Sequence, residues 1–204
     1  MDALTAISWP LRTARLSIRR ATNADAEPTW AWWSLPKVGE WVTSAPTDFE
    51  TYRARFVDQA RLPSLLVVAL DDPQDPEHRG QLIGDIMLRI EDGWAQTEVQ
   101  DRARSVQAEL GWTLDPALQG HGYSTEAVHA VIGICFGALG LRRVHAGCFA
   151  ANKASWRMME RLGMRREEHS IGTALHRSGV WMDGMNYGLL AEEWKAAETL
   201  ARQS

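Results

Sequence analysis

Residues 105–114, SVQAELGWTL, alternate strictly: Val106, Ala108, Leu110, Trp112 and Leu114 fall on one side, and Ser105, Gln107, Glu109, Gly111 and Thr113 on the other. A period of two marks a strand with one face on a core. Past a short polar stretch the period lengthens. Val128, Val131, Ile132, Cys135, Phe136 and Leu139 recur at three- and four-residue steps, which predicts a helix over 123–139 with an apolar stripe. Between them lies DPALQGHGYS, residues 115–124, so the unit is strand, glycine-containing loop, helix.

The same reading extends along the chain. Residues 1–12 carry neither period and read as a loose leader. Leu16 and Ile18 alternate with Ser17 and Arg19, predicting a first strand. A helix over 23–33 follows, capped by Thr22 or Asn23, with Pro28 required in its first turn. Pro36, Gly39 and Pro46 break the chain, and Asp48 caps a second helix over 49–61. Residues 64–70 and 81–90 are β-rich runs joined by the polar turn 71–80, which reads as a hairpin. Residues 91–104 are polar and predict a surface loop. Beyond the long helix, 142–149 alternates as a fifth strand; Asn152 and Gly163 bracket a helix over 153–162. Residues 165–171 and 179–189 form a last pair of strands, and 191–202 a short helix. This order predicts a single domain, 1–204, of mixed α/β class: a largely antiparallel, twisted sheet of about seven strands flanked by helices.

Composition narrows the function classes. The 204 residues are 45% hydrophobic with a formal net charge of −4, which fits a globular core and argues against bulk nucleic-acid affinity. There is no basic start followed by an apolar run and no apolar stretch of membrane-spanning length, so the expectation is a cytoplasmic protein without a membrane partner. Cys135 and Cys148 form no CxxC and match no histidine spacing, so both read as reduced core residues and no metal site is expected. Arg12, Arg15, Arg19 and Arg20 read as a solvated face.

The loop suggests anion chemistry. The first backbone N–H groups of a helix lack intrahelical partners and sit at the positive end of its dipole. Gly120 and Gly122 let the backbone turn and approach a ligand closely. A mononucleotide P-loop fails, because Gly122 is followed by Tyr123 and Ser124 and no Gly-Lys-Ser or Gly-Lys-Thr occurs. A dinucleotide fingerprint fails too: Thr125 stands at the third glycine position, and the next strand ends without a carboxylate. Ser124 is followed by Thr125 and Glu126, so a nucleophile elbow is also ruled out.

Gln119, Gly120, His121, Gly122, Tyr123 and Ser124 resemble the coenzyme A loop of the GNAT superfamily of N-acetyltransferases, with serine where a small apolar residue is usual. Two further stretches share the resemblance, ANKASWRMMERLGM at 151–164 and WMDGMNYGLLAEEW at 181–194, beside LGWTLDPALQGHGYSTEA at 110–127. The whole is most similar to the ribosomal-protein-alanine N-acetyltransferase branch. The resemblance implies a sheet splayed between its fourth and fifth strands, with acetyl-CoA as co-substrate. It implies that Gln119 to Ser124 hold the pyrophosphate, and that residues 110–114, among them Gly111, Trp112, Thr113 and Leu114, pair with the pantetheine arm. Asn152 contacts the coenzyme on this reading. The implied acceptor is a protein N-terminal α-amine, with a small-molecule amine such as an antibiotic or polyamine as the alternative, and a non-catalytic acyl-CoA-binding module as the competing class. A homodimer is left open.

The chemistry assigns roles. An amine with a pKa near about 10 is mostly protonated at neutral pH and must lose a proton before attacking a thioester. Glu109, on the polar face of the strand, is the candidate base, set against a plain strand salt bridge. The backbone N–H of Gly111 or Trp112 offers an oxyanion donor. By resemblance Ser155 faces the departing sulfur, against the alternative of a residue that only joins the helix cap. Trp30, Trp32, Trp33 and Trp41 fall where the family walls its acceptor pocket, about two of them expected in the core. Tyr123 reads as structural or near the coenzyme, and His121 and His129 as exposed.

Overall fold

The computed structural model describes residues 3–201. Its strands are β1 (Leu11–Arg12), β2 (Leu16–Arg20), β3 (Leu65–Leu70), β4 (Leu82–Glu91), β5 (Gln107–Leu114), β6 (Arg143–Phe149), β7 (Arg165–Leu175) and β8 (Trp181–Leu190). The helices are α1 (Ala26–Trp33), α2 (Pro36–Gly39), α3 (Phe49–Phe56), α4 (Tyr123–Phe136), α5 (Lys153–Arg161) and α6 (Ala191–Ala201). The strands follow the order β1-β2-β3-β4-β5-β6-β8-β7 in one sheet. Pairing is antiparallel for β1–β2, β2–β3, β3–β4, β6–β8 and β7–β8, and parallel for β5–β6. The parallel ladder ends at Glu109↔His145, although β5 continues to Leu114 and β6 to Phe149. No described helix is long and apolar enough to cross a membrane.

The chain divides into two compact units, one built from Met1–Leu88 and Gly111–Val131 and the other from Arg89–Leu110 and Ile132–Ser204. In the first, β3 is the continuous apolar run LLVVAL, buried along nearly its whole length because it pairs on both edges and is covered on both faces. The aromatic cluster of Trp32, Trp33, Tyr52 and Phe56 packs with Leu65. Thr22 and Asp25 form a reciprocal capping box before α1, and Asp48 accepts from Thr51 N at 2.8 Å to start α3. Gly84 of β4 lies tight against β5: a Cβ there would stand 2.5 Å from the Thr113 carbonyl oxygen.

In the second unit β6 runs between β5 and β8, with Val144 and Ala146 facing the core. Met158 and Met159 of α5 are buried, and Asn152 caps that helix by accepting from Ser155 N at 3.2 Å. Tyr187 is fully buried and its hydroxyl donates to Glu160 at 3.1 Å. Phe136 and Trp194 meet with ring centroids 6.1 Å apart.

The fold agrees with the element order read from the sequence and corrects several details. Residues 3–12 are not a loose leader: Ala3–Ala6 form a 3-10 turn, Leu4 and Ile7 are buried, and β1 adds an eighth strand. Residues 1–2 lie outside the described residues, as do 202–204 at the end of the last helix. The second helix stops at Phe56 instead of 61, because Asp58 takes the Ala60 N–H in a local turn. The loop 91–104 contains a 3-10 segment, Thr97–Ala103. Arg12, Arg15 and Arg19 are not merely solvated; each is ion-paired, to Asp71, Glu126 and Asp25 respectively.

Burial pushes the Asp25 carboxyl up, but hydrogen bonds from Arg19 and Thr22 outweigh it, so its pKa lies below the usual value. A depressed carboxylate stabilises the fold above its unfolded pKa, and that contribution is lost as pH falls through the folded value. Asp25→Asn is therefore expected to cost about 1–3 kcal/mol at pH 7, and much less at pH 3. Urea unfolding at the two pH values checks this; an equal loss at both would contradict it.

Candidate functional site

The loop after β5 opens with Asp115, whose backbone N–H donates to Ile83 O and whose side chain accepts from Ala117 N at 2.9 Å. Gly120 and Gly122 have φ of +87° and +82°, a left-handed conformation that glycine adopts without strain. The first helical bond of α4, Glu126 N to Gly122 O, is 3.0 Å. Arg15 holds the loop from outside: its Nη1 donates to His121 O at 3.1 Å, its Nη2 pairs with Glu126 Oε2 at 2.7 Å, and its guanidinium lies 4.7 Å from the centre of the Tyr123 ring. Thr13 and the Arg15 backbone N–H also donate to Glu126. Burial raises the Glu126 pKa, and the bonds from Thr13 and Arg15 more than reverse this, leaving it lowered. The loop is thus preformed, with a cation fixed beside it.

Next to the loop the first unit has a shallow open pocket walled by Gly84 and Ile86 of β4, Trp112 and Leu114 of β5, and Tyr123 and Ser124 of α4. Thr113 lines it as well. The Thr113 hydroxyl donates to Asp85 Oδ2 at 2.7 Å and accepts from Trp32 Nε1 at 3.3 Å; Trp33 Nε1 donates to the same Asp85 oxygen at 2.6 Å. Asp85 is 3% exposed, and burial pushes its carboxyl up despite these donors.

In the second unit Glu109 is ion-paired with Arg89, whose Nε also donates to Glu91 at 2.8 Å. His145, the ladder partner of Glu109, places Nε2 3.1 Å from the other Glu91 oxygen. Ser155 sits in the first turn of α5 beside Cys148 of β6. Burial pushes the Cys148 thiol up to about 11, partly offset by a hydrogen bond with Ser155. Cys135 is buried and pushed up to about 12, so both cysteines are free thiols held protonated at neutral pH. Among the described residues, no group of three or more His, Cys, Asp or Glu gathers as a metal site.

Of the residues singled out from the sequence, Trp112, Thr113, Leu114, Tyr123 and Ser124 share one pocket. Gln119, Gly120, His121 and Gly122 form the exposed loop beside it. Gly111 belongs to the same unit but not to the lining, while Glu109, Asn152 and Ser155 belong to the second unit. Asn152 caps α5 as expected. Trp32 and Trp33 are core, whereas Trp30 is partly buried. Tyr123 is buried, and His121 and His129 are exposed. Sequence reasoning missed Arg15, Arg89, Asp85 and the Cys148 contact. Only Asp85 left a signal, as the one carboxylate inside the apolar run 82–88.

The domain family described as acetyltransferase (GNAT) domain matches residues 15–165. The uncharacterized N-acetyltransferase YnaD of Bacillus subtilis is 36% identical over 86 residues, 42% of this chain and 50% of that protein, so the match spans half the relative's length. A GNAT-family acetyltransferase from Bacillus anthracis superposes with a TM-score of 0.71 at 27% identity, over 89% of this chain and 98% of that one. RimL, a ribosomal L7/L12 alpha-N-protein acetyltransferase in complex with coenzyme A, shares the fold with a TM-score of 0.69 at 15% identity, over 89% and 96% of the two chains.

Removing the carboxylate that Thr13 and Arg15 share should unseat the loop. Glu126→Ala is expected to lower Tm by roughly 2–10 °C, corresponding to about 1–3 kcal/mol for a chain of this length. Differential scanning calorimetry at neutral pH reads the change directly, and an unaltered Tm would show that Arg15 does not tether the loop.

Proposed function

Since this chain belongs to the acetyltransferase (GNAT) domain family, we propose that it transfers the acetyl group of acetyl-CoA to a primary amine, with a protein or peptide N-terminal α-amine as the acceptor. The observation that carries the reading is the preformed glycine loop at the start of α4 opening beside a pocket lined by Trp112–Leu114. Loop N–H groups and the Arg15 guanidinium supply donors and charge for a pyrophosphate. The extended backbone of residues 111–114 suits the amides of a pantetheine arm, which pair with a strand as another strand would. The α-amine choice rests on the similarity of 110–127, 151–164 and 181–194 to the ribosomal-protein-alanine branch.

The reaction runs by direct attack. The amine loses its proton to Glu109, directly or through water, and its nitrogen bonds to the acetyl carbon. The oxyanion is met by the backbone N–H of Gly111 or Trp112, and the C–S bond then breaks. Ser155 donates to the departing thiolate. Arg89 fixes the Glu109 carboxylate in one orientation. Asn152 caps the first turn of α5, where Ser155 sits, and on this reading contacts the coenzyme. The protonated thiols of Cys148 and Cys135 make poor nucleophiles, which favours transfer without an acyl-enzyme.

Release of free CoA from acetyl-CoA, followed with an alanine-initiated peptide, its N-acetylated form and spermidine, tests the proposal. Turnover with the free peptide and none with its blocked form is the expected result. Turnover with spermidine alone would move the acceptor to small amines, and none with any acceptor would leave an acyl-CoA-binding module. With an active acceptor, Glu109→Gln should lower kcat by about 10²–10⁴-fold and shift the acid limb of its pH profile; an unshifted profile would remove Glu109 from the mechanism. Ser155→Ala should reduce kcat more than it raises the acetyl-CoA KM, and full activity would leave Ser155 as a helix residue alone.

A further inference from the structure

Asp85 is a buried carboxyl that the transfer chemistry does not use. It forms no salt bridge with the described residues: its bonded donors, Trp33 Nε1 at 2.6 Å and Thr113 Oγ1 at 2.7 Å, are neutral, and the Arg61 charge acts on it without an ion pair. Burying such a group costs more stability than an apolar residue of similar size would, so core packing alone does not explain it.

Its contacts indicate another role. A hydroxyl has one proton: Thr113 gives it to Asp85 and receives the Trp32 indole N–H at 3.3 Å, so the side chain is fixed from both sides. The main chain is gripped at the same residue, since the backbone of Gly84 lies so close to the Thr113 carbonyl that a Cβ would stand 2.5 Å from it. Residue 113 is thereby held by Gly84 and Asp85 of β4 and by Trp32 of α1, while Trp33 bonds to the Asp85 oxygen that Thr113 also uses. It lies in the middle of the stretch Trp112–Leu114 that walls the pocket.

We propose that Asp85 is a positioning residue for coenzyme binding: acting through the Thr113 hydroxyl, it holds the backbone of Trp112–Leu114 in the extended geometry that the pantetheine arm of acetyl-CoA pairs with. The inference rests on the acetyltransferase reading. A strand ordered beforehand spares the ligand the entropy of ordering it, so the loss on releasing Thr113 falls on affinity. Burial raises the Asp85 pKa despite the bonds from Thr113 and Trp33.

Calorimetric titration of the full chain with acetyl-CoA tests the proposal on wild type, Asp85→Ala, Thr113→Val, the double variant and Asp85→Asn, each with its Tm recorded. Each alanine or valine variant is expected to weaken Kd about tenfold, about 1.4 kcal/mol. The double variant should bind no more weakly than either single one, because both break the same hydrogen bond. Asp85→Asn, which keeps an acceptor oxygen, should recover most of the affinity. If Asp85→Ala does not fold, Thr113→Val at the half-buried partner carries the comparison alone. A lowered Tm with an unchanged Kd, or losses that add in the double variant, would overturn the proposal and leave Asp85 a structural residue. Wild type that fails to bind acetyl-CoA would instead remove the coenzyme reading itself.

Discussion

The first backbone N–H groups of α4 have no acceptor within their own helix, and the structure around residues 111–126 is arranged around that constraint. The positive φ of Gly120 and Gly122 turns the loop so that the helix can begin at Tyr123. Asp115 occupies the first N–H of the loop's own 3-10 turn. Glu126 accepts from Thr13 and Arg15, and Arg15 reaches back to the His121 carbonyl, so the loop is clamped by residues far away in sequence. A loop held in this way presents its donors without first having to be ordered, which is what anion binding rewards.

The two polar clusters differ in character. Around Asp85 every contact is buried or nearly so, the donors are neutral, and the distances fix individual atoms. Around Glu109, Arg89, Glu91 and His145 the side chains are ionisable and reached by solvent, with Arg89 paired to both carboxylates. Rigidity suits the strand proposed to receive a coenzyme, and access to water suits the place proposed for deprotonating the acceptor.

Much of this was legible in the sequence because it rests on local periodicity. The alternation of 105–114 and the stripe of Val128, Val131, Ile132 and Cys135 gave β5 and α4; the C-terminal end of β5 and the start of α4 match, while β5 begins two residues later and α4 ends three residues earlier than read. Capping residues did as well: Asp48, Asn152 and Thr22 start helices where expected. The failures are of another kind. The turn at Ala3–Ala6 buries Leu4 and Ile7 with no period to betray it, and α3 ends early because a single aspartate side chain competes for the backbone. Arg15 meets Glu126 across a separation of 111 residues, and nothing near Arg15 in sequence distinguishes it from Arg12 or Arg20. The Ser155–Cys148 contact is similarly tertiary, joining a helix to a strand.

The central claim is that the glycine loop and the strand before it form a coenzyme A site. A thermal-shift titration with acetyl-CoA, free CoA, NAD and ATP addresses it most directly, because a ligand at 100 times its Kd that binds only the folded state adds about 2.7 kcal/mol. A rise of several degrees with the two CoA species and none with NAD or ATP is the predicted result. No response to CoA, or a larger one to NAD or ATP, would contradict the assignment of the loop and everything built on it.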